Sequence, residues 1–311
     1  MAAAELSVTV TGATGLIGRA VVRALRARGA AVTVLSRDAS RALRALGEDP
    51  QLQAFDWNLE REAAPAEALA GRDAVVHLAG ENIAQRWSDQ AKRRIRASRV
   101  TGTRNLLAGI AAVQRRPRTL LSSSAVGYYG ARGEEPLDED APAGTGFLAE
   151  LCAEWEAEAA KAHELGARVV CVRTGVVLDR EGGALAKMLP PFRLGLGGPV
   201  AGGLQFVSWI DRDDVVGIVL AALADERWQG PVNATAPDPV SNRDFSRALG
   251  RVLHRPALLP VPRLALELLY GEMAEVVTEG ARVLPAKPLV LGYDFCQPQL
   301  EPALRAALRR R

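Results

Sequence analysis

The run Thr11-Gly12-Ala13-Thr14-Gly15-Leu16-Ile17-Gly18 stands directly behind the apolar stretch Leu6-Ser7-Val8-Thr9-Val10. Together they read as a β-strand, a glycine-rich turn and the opening of a helix. Glycine lets the main chain turn tightly and removes the Cβ that would hold a ligand away. The exposed N–H groups and the dipole at a helix N-terminus then favour negative charge. Gly18 allows the helix to pack closely on the strand. Ile17, Val21, Ala24 and Leu25 share one side of that helix, as an amphipathic crossover requires. Behind Gly29 a second β-rich run, 31–35, follows at βαβ spacing. This opening predicts a Rossmann-type domain with Gly12, Thr14, Gly15, Leu16, Ile17 and Gly18 around the pyrophosphate of a dinucleotide.

The alternation continues. Strand patterns occur at 52–55, 74–78, 119–122 and 169–172, with helical patterns between most of them. The longest helical pattern is 88–113, and another, 147–165, is closed by Gly166. Such alternation predicts an α/β fold with a doubly wound parallel sheet. After Arg173 the texture changes. Pro190-Pro191 and the glycine-rich 195–203 mark a long loop region that neither follows a strand nor opens a helix, so it reads as a pocket-lining loop. A helix is expected over 211–224, and the chain is α-rich from about 237. The expected organisation is a Rossmann domain of 1–173 plus 213–235 and a smaller, mostly α C-terminal substrate lobe of 174–212 plus 236–311.

The bulk numbers narrow the partners. A net charge of +3 over 311 residues does not suggest a nucleic-acid binder, and Lys92-Arg93-Arg94-Ile95-Arg96 reads as one solvated helix face. The apolar run 215–224 is too short for a bilayer, so no membrane association is expected. The first strand begins within a few residues of Met1, so no signal peptide is expected. Cys152, Cys171 and Cys296 are odd in number and far apart, which suits free thiols in a cytoplasmic protein. His77, His163 and His254 form no ligand spacing, so no metal is predicted.

Residues at the expected strand ends select the nucleotide. An acid at the end of the second strand bonds the ribose 2′-hydroxyl of NAD. Here the chain reads Leu35-Ser36-Arg37. A hydroxyl and a guanidinium suit a 2′-phosphate, so NADP(H) is the expected cofactor, although Asp38 follows at once. Asp56 and Trp57 end the third strand, where Asp56 can bond the adenine amino group. Leu78, Ala79 and Gly80 end the fourth, where small residues admit the cofactor close to the main chain.

These residues, with the serine-rich Leu121-Ser-Ser-Ser-Ala125, resemble the extended short-chain dehydrogenase/reductase superfamily. The chain is similar in particular to an atypical branch, the NAD(P)-dependent epimerase/dehydratase-like proteins. Ala79-Gly80-Glu81-Asn82-Ile83, Arg86-Trp87, Ser98-Arg99, Phe192-Arg-Leu-Gly-Leu-Gly-Gly198, Ser208-Trp209-Ile210 and Gly292-Tyr293-Asp294-Phe295 carry that similarity. It implies that Glu81 lies in the cofactor segment, that Arg99 faces a phosphate, and that Val177 follows the sixth strand near the nicotinamide. It also implies a monomer or a homodimer, the latter through the helices at about 88–113 and 147–165. One departure is Asp211, where relatives carry histidine.

Ordinary members of the superfamily exchange a proton through a tyrosine whose pKa is lowered by a lysine four residues later. No Tyr-x-x-x-Lys occurs anywhere in this chain. The serine position survives as Ser123 or Ser124, and Tyr128 or Tyr129 lies within reach of the same strand. Ser123, Ser124 and Tyr129 are therefore the catalytic candidates. The expected function is that of an NADP(H)-dependent oxidoreductase or epimerase-like protein acting on a small carbonyl or hydroxyl substrate. The alternative is a non-catalytic NADP(H)-binding sensor or regulatory protein.

Overall fold

The computed structural model describes residues 6–47 and 49–310. Seven strands form one parallel sheet: β1 (Ser7–Thr11), β2 (Ala31–Ser36), β3 (Leu52–Asp56), β4 (Ala74–His77), β5 (Thr119–Ala125), β6 (Arg168–Thr174) and β7 (Gly230–Ala234). Their spatial order is β7-β6-β5-β4-β1-β2-β3. The order reverses between β1 and β4, and that switch point is where open α/β sheets place their ligands.

Helices cover both faces, because neighbouring residues along each strand face opposite sides and both sides are apolar. Val8, Val10, Val34, Val76, Leu121 and Val172 join the core under α1 (Leu16–Arg26) and α6 (Arg212–Ala224). Val75, Leu120, Val169 and Cys171 face the other way. They meet Leu106, Leu107 and Ile110 of α3 (Asp89–Ala112) and Ala159 of α4 (Phe147–Ala160). Helix α2 (Ala39–Leu46) adds Ala42 to the first of these cores. A separate core gathers Leu178, Trp209 and Ala236 with residues of α5 (Gly183–Arg193), α7 (Asn242–Leu253) and α9 (Leu300–Arg309). Helix α8 (Arg263–Tyr270) buries none of its residues.

The doubly wound sheet is therefore as the sequence predicts, and one local expectation is corrected. Pro190 and Pro191 lie inside α5 and do not mark a loop. Leu185, Leu189 and Phe192 bury their side chains in the second core, and that packing outweighs the backbone cost of proline. Val177 stands in a short strand, Val176–Leu178, paired with Trp209–Asp211. Gly133–Leu137 pairs in parallel with Ala281–Val283 across a long sequence separation, which local patterning does not reveal. No helix among the described residues is long and apolar enough to cross a membrane.

Candidate functional site

The glycine turn closes as a backbone hydrogen bond from Gly15 N–H to Gly12 O at 3.0 Å. Gly12 has φ +67°, and a Cβ there would lie 2.7 Å from the Leu78 carbonyl carbon. A Cβ on Gly18 would lie 2.2 Å from Gly12 O, so α1 can approach the turn only with glycine at that place. Gly15 caps α1 without a side-chain hydrogen bond, and the first turn of the helix has no acid. Thr14 and Gly15 are exposed, Leu16 and Ile17 half-buried. The cradle thus keeps its positive helix end free for an anion.

The end of β4 is fixed beside this turn by Thr11. Its Oγ1 accepts from Leu78 N–H at 3.2 Å and Ala79 N–H at 3.1 Å, and lies 2.7 Å from His77 Nδ1. With two N–H groups bonding into the hydroxyl, its own proton points to Nδ1 and His77 is the Nε2–H tautomer. Burial lowers the His77 pKa to about 4, and the nearby Arg99 adds to the effect. His77 is accordingly neutral and braces Leu78, Ala79 and Gly80 from below.

At the end of β2, Ser36 is half-buried and Arg37 is exposed. Arg37 enters no hydrogen bond or ion pair among the described residues. Both nearby acids are engaged by α2: Asp38 accepts from Arg41 N–H at 2.8 Å and Asp56 from Ala39 N–H at 2.7 Å. Asp38 is therefore a helix cap and leaves Arg37 uncompensated. Trp57 needs correction. Its ring is buried in the core and donates Nε1–H to Glu62 O at 3.0 Å, so no ring face is open to a cofactor.

The catalytic candidates separate sharply. Ser124 donates to Glu156 Oε1 at 2.6 Å. Arg173 grips the same carboxylate with Nε and Nη2, both at 2.8 Å, and also donates to the Tyr129 hydroxyl at 2.8 Å. The Tyr129 proton lies between Asn233 Oδ1 (2.7 Å) and Asp138 O (2.8 Å). Burial raises the Tyr129 pKa to about 12 despite Arg173. Tyr129 is 0% exposed and is a structural member of this network; the proposed catalytic place is corrected accordingly. Ser124 is likewise held by a carboxylate. Ser123, half-buried, forms no side-chain hydrogen bond among the described residues, and neither does the Tyr128 hydroxyl. The Tyr128 ring faces the Arg173 guanidinium at 3.5 Å. The network of Glu156, Arg173 and Asn233 is not legible in the sequence, because a polar or charged residue on a helix or strand gives no local sign of being buried with its partner.

The face of α4 turned to the end of β5 carries no tyrosine and no lysine. Leu148 lies where a Cβ on Gly127 would meet it at 3.2 Å. One turn on, Cys152 has the Ala125 main chain and the Ser124 hydroxyl as polar neighbours. Burial raises its thiol to about 11, and Glu156 adds to this. An apolar side chain and a neutral thiol therefore stand four residues apart at the helix position facing the strand end.

Arg99 projects from α3 toward the β4 loop. Its Nη1 donates to Glu81 O at 3.1 Å and Ile95 O at 3.2 Å, and a Cβ on Gly80 would lie 3.2 Å from its guanidinium carbon. Trp155 flanks it at 5.2 Å. Glu81 itself is held through its N–H by Ser98 Oγ at 2.9 Å. Val177 packs at the edge of the first core. Asp211 caps α6 through Asp213 N–H and pairs with Arg310 at 2.6 Å, which is a structural use of the position. No cluster of His, Cys, Asp and Glu that could hold a metal ion occurs among the described residues.

The model of the NAD dependent epimerase/dehydratase family matches residues 8–234, the whole span from β1 to β7. The chain belongs to that family. A domain of unknown function, DUF1731, matches residues 261–307. An Arabidopsis thaliana protein named epimerase family protein SDR39U1 homolog, chloroplastic, is 42% identical over 98% of this chain and 87% of its own. The Mycobacterium tuberculosis epimerase family protein MT2273 is 41% identical over 99% of both chains. The crystal structure of human epimerase family protein SDR39U1 (isoform 2), solved with NADPH, superposes with a TM-score of 0.85 at 34% identity, covering 98% of this chain and all of that one. The UDP-glucuronic acid 4-epimerase of Bacillus cereus shares the fold at 17% identity and TM-score 0.78.

Proposed function

We propose that this chain binds NADP(H) at the switch point and acts on a small carbonyl or hydroxyl compound held between the sheet and the second core. The observation that carries the reading is the uncompensated Arg37 beside an acid-free glycine cradle. Asp38 and Asp56 both accept main-chain N–H groups of α2, and neither pairs with Arg37, which keeps its guanidinium free among the described residues. The cradle fits the cofactor, because the N-terminus of α1 is capped by no side chain, carries no acid in its first turn and is bordered by the exposed Thr14 and Gly15. The human relative solved with NADPH supports the same choice.

In this reading, the N-terminus of α1 holds the diphosphate and Arg37 with Ser36 holds the 2′-phosphate. Leu78, Ala79 and Gly80 admit the cofactor to the strand ends. When bound, NADP(H) supplies or accepts hydride at nicotinamide C4. Ser123 orients the substrate oxygen, and Tyr128 is the hydroxyl placed to exchange a proton with it. Glu156, Arg173 and Tyr129 hold the end of β5 rigid beneath them. Three unpaired cysteines suit a reducing compartment such as the cytoplasm.

A second reading has its own support in Leu148 and Cys152. With neither tyrosine nor lysine on that face of α4, the chain serves as an NADP(H)-binding sensor or regulator. Titration with NADPH and NADH, in the wild type and in Arg37→Ala, tests the cofactor. Equal affinity for both nucleotides in the wild type refutes the Arg37 argument. A screen for substrate-dependent NADPH oxidation then separates enzyme from sensor, turnover by any carbonyl compound favouring the enzyme.

A further inference from the structure

We propose that the leucine- and arginine-rich face built by residues 190–204 and 243–270 docks on an anionic lipid surface.

The exposed leucines of this protein are gathered in one place. Ten leucines are exposed among the described residues, and eight of them stand in two short segments, 194–204 and 258–269. Leu194, Leu204, Leu258, Leu264 and Leu268 are each 73–80% exposed. Single exposed leucines are ordinary, whereas a contiguous group marks a surface that meets something apolar. The two segments lie side by side. Val200 bridges to Val261 in parallel, Ala201 N–H donates to Val261 O at 3.0 Å, and Val261 N–H donates to Pro199 O at 2.9 Å. A Cβ on Gly198 would lie 2.1 Å from Leu259 O, so glycine is what lets the segments approach this closely. Leu264 and Leu268 stand one turn apart on the same side of α8, and α8 buries none of its residues.

The same face carries the positive charge of the chain. Residues 190–204 and 243–270 hold six arginines and no lysine against two acids, Asp244 and Glu267. That surplus of four exceeds the net +3 of all 311 residues. All six arginines are exposed. Arg247 and Arg263 pair with the two acids, and Arg251 pairs with Glu301 of α9. Arg193, Arg243 and Arg255 have no carboxylate partner among the described residues. Arg243 donates to Gly202 O at 2.9 Å and Arg255 to Arg193 O at 3.0 Å, which holds both beside the leucine segments. Arg247, Arg251, His254, Arg255 and Leu258 line an open hollow of about 560 Å³, and Leu258 joins its basic wall to the apolar patch.

Charge and composition choose among the occupants. Two copies of this face would bring two positive surpluses together and repel. Protein interfaces are anchored by Tyr, Trp and Arg, with Leu under-represented, and no aromatic residue occurs in 193–204 or 255–269. Leucines that enter the headgroup boundary, beside arginines that meet lipid phosphates, make a peripheral membrane contact. No helix among the described residues is long and apolar enough to cross a bilayer, so the contact is confined to the surface. The expectation of no membrane association then holds for spanning alone.

The test is flotation of the full chain with vesicles of phosphatidylcholine, alone or mixed with phosphatidylserine. The wild type should bind the mixed vesicles at least about tenfold more tightly than the neutral ones, and high salt should remove the difference. Leu264→Ser/Leu268→Ser should weaken binding about tenfold or more, since two inserted leucines are lost, and Arg193→Ser should weaken it about fivefold. Leu194→Ser, on the other segment, serves as a further variant should the paired change disturb α8. No flotation, or equal flotation with both vesicles, overturns the proposal. Loss in Arg193→Ser without loss in the leucine variants would assign the face to a soluble polyanion such as an acidic protein segment. A wild-type dimer that the leucine variants split in sedimentation would assign it to a second copy. Either of these results also overturns the proposal.

Discussion

Replacing Glu156 by leucine should unfold this protein more readily than any surface change of similar size. The Glu156 carboxylate accepts three hydrogen bonds, from Arg173 Nε and Nη2 at 2.8 Å each and from Ser124 Oγ at 2.6 Å. The side chains are 3% and 14% exposed for Arg173 and Glu156, so water cannot take over the broken bonds. Burial alone would lower the Arg173 pKa, yet its bonds to Glu156 hold it above the ordinary arginine value. Removing one partner of such a pair leaves a buried charge uncompensated, at a cost of about 3–5 kcal/mol. Replacing both by apolar residues removes that charge, so Glu156→Leu/Arg173→Met should be less destabilised than the sum of the single variants by at least about 2 kcal/mol. The remaining loss comes from Tyr129, whose hydroxyl then lacks the Arg173 donor, about 1–3 kcal/mol. Urea unfolding followed by the fluorescence of the five tryptophans measures all three variants. A cost below about 1 kcal/mol for Glu156→Leu, or additivity of the two changes within about 0.5 kcal/mol, would show that solvent reaches the pair and refute the reasoning.

Three further outcomes are expected. Gly18→Ala places a Cβ 2.2 Å from Gly12 O, so the turn must shift; NADPH affinity should fall at least about tenfold, and an unchanged affinity in a fluorescence titration would show that the turn does not hold the cofactor. Arg37→Ala should weaken NADPH by roughly 10–100-fold, the range of a lost charge-assisted bond, and leave NADH unaffected in the same titration. His77 has a pKa near 4 in the fold against an ordinary 6.5, so the unfolded chain takes up the proton first and stability falls as pH drops from 6.5 toward 4. At pH 5 the loss is up to about 2 kcal/mol relative to pH 7, and His77→Gln should lose correspondingly less between those pH values in urea unfolding; an equal loss would place the acid sensitivity elsewhere.

The cofactor end of the site was legible because its chemistry is local. A strand, a glycine turn and a helix N-terminus are contiguous, and Gly18 packs on the Gly12 main chain within a few residues. The same holds for Arg37, which follows its strand directly. Asp38 and Asp56 were less legible. Whether an acid faces a ribose or caps a helix depends on where α2 starts: Asp38 caps it from the residue before, and Asp56 reaches the Ala39 N–H from the end of β3. Pro190 and Pro191 misled because proline reports on the backbone, while the burial of Leu189 and Phe192 decided the outcome.

By itself the sequence determined the doubly wound sheet, the glycine turn at the N-terminus of α1 and the absence of a Tyr-x-x-x-Lys pair, since each is written in period, spacing or residue identity over short stretches. Tertiary structure alone decided which hydroxyl is free and which charge is paired. Tyr128 and Tyr129 are neighbours in the chain, yet Tyr129 is closed off by Arg173 from β6 and Asn233 from β7. Ser123 and Ser124 differ only in which side of the sheet they face, and Glu156 on α4 takes one and not the other. Charge and hydrogen-bond satisfaction are settled between elements far apart in sequence, and so they become visible only when the sheet and its helices have assembled.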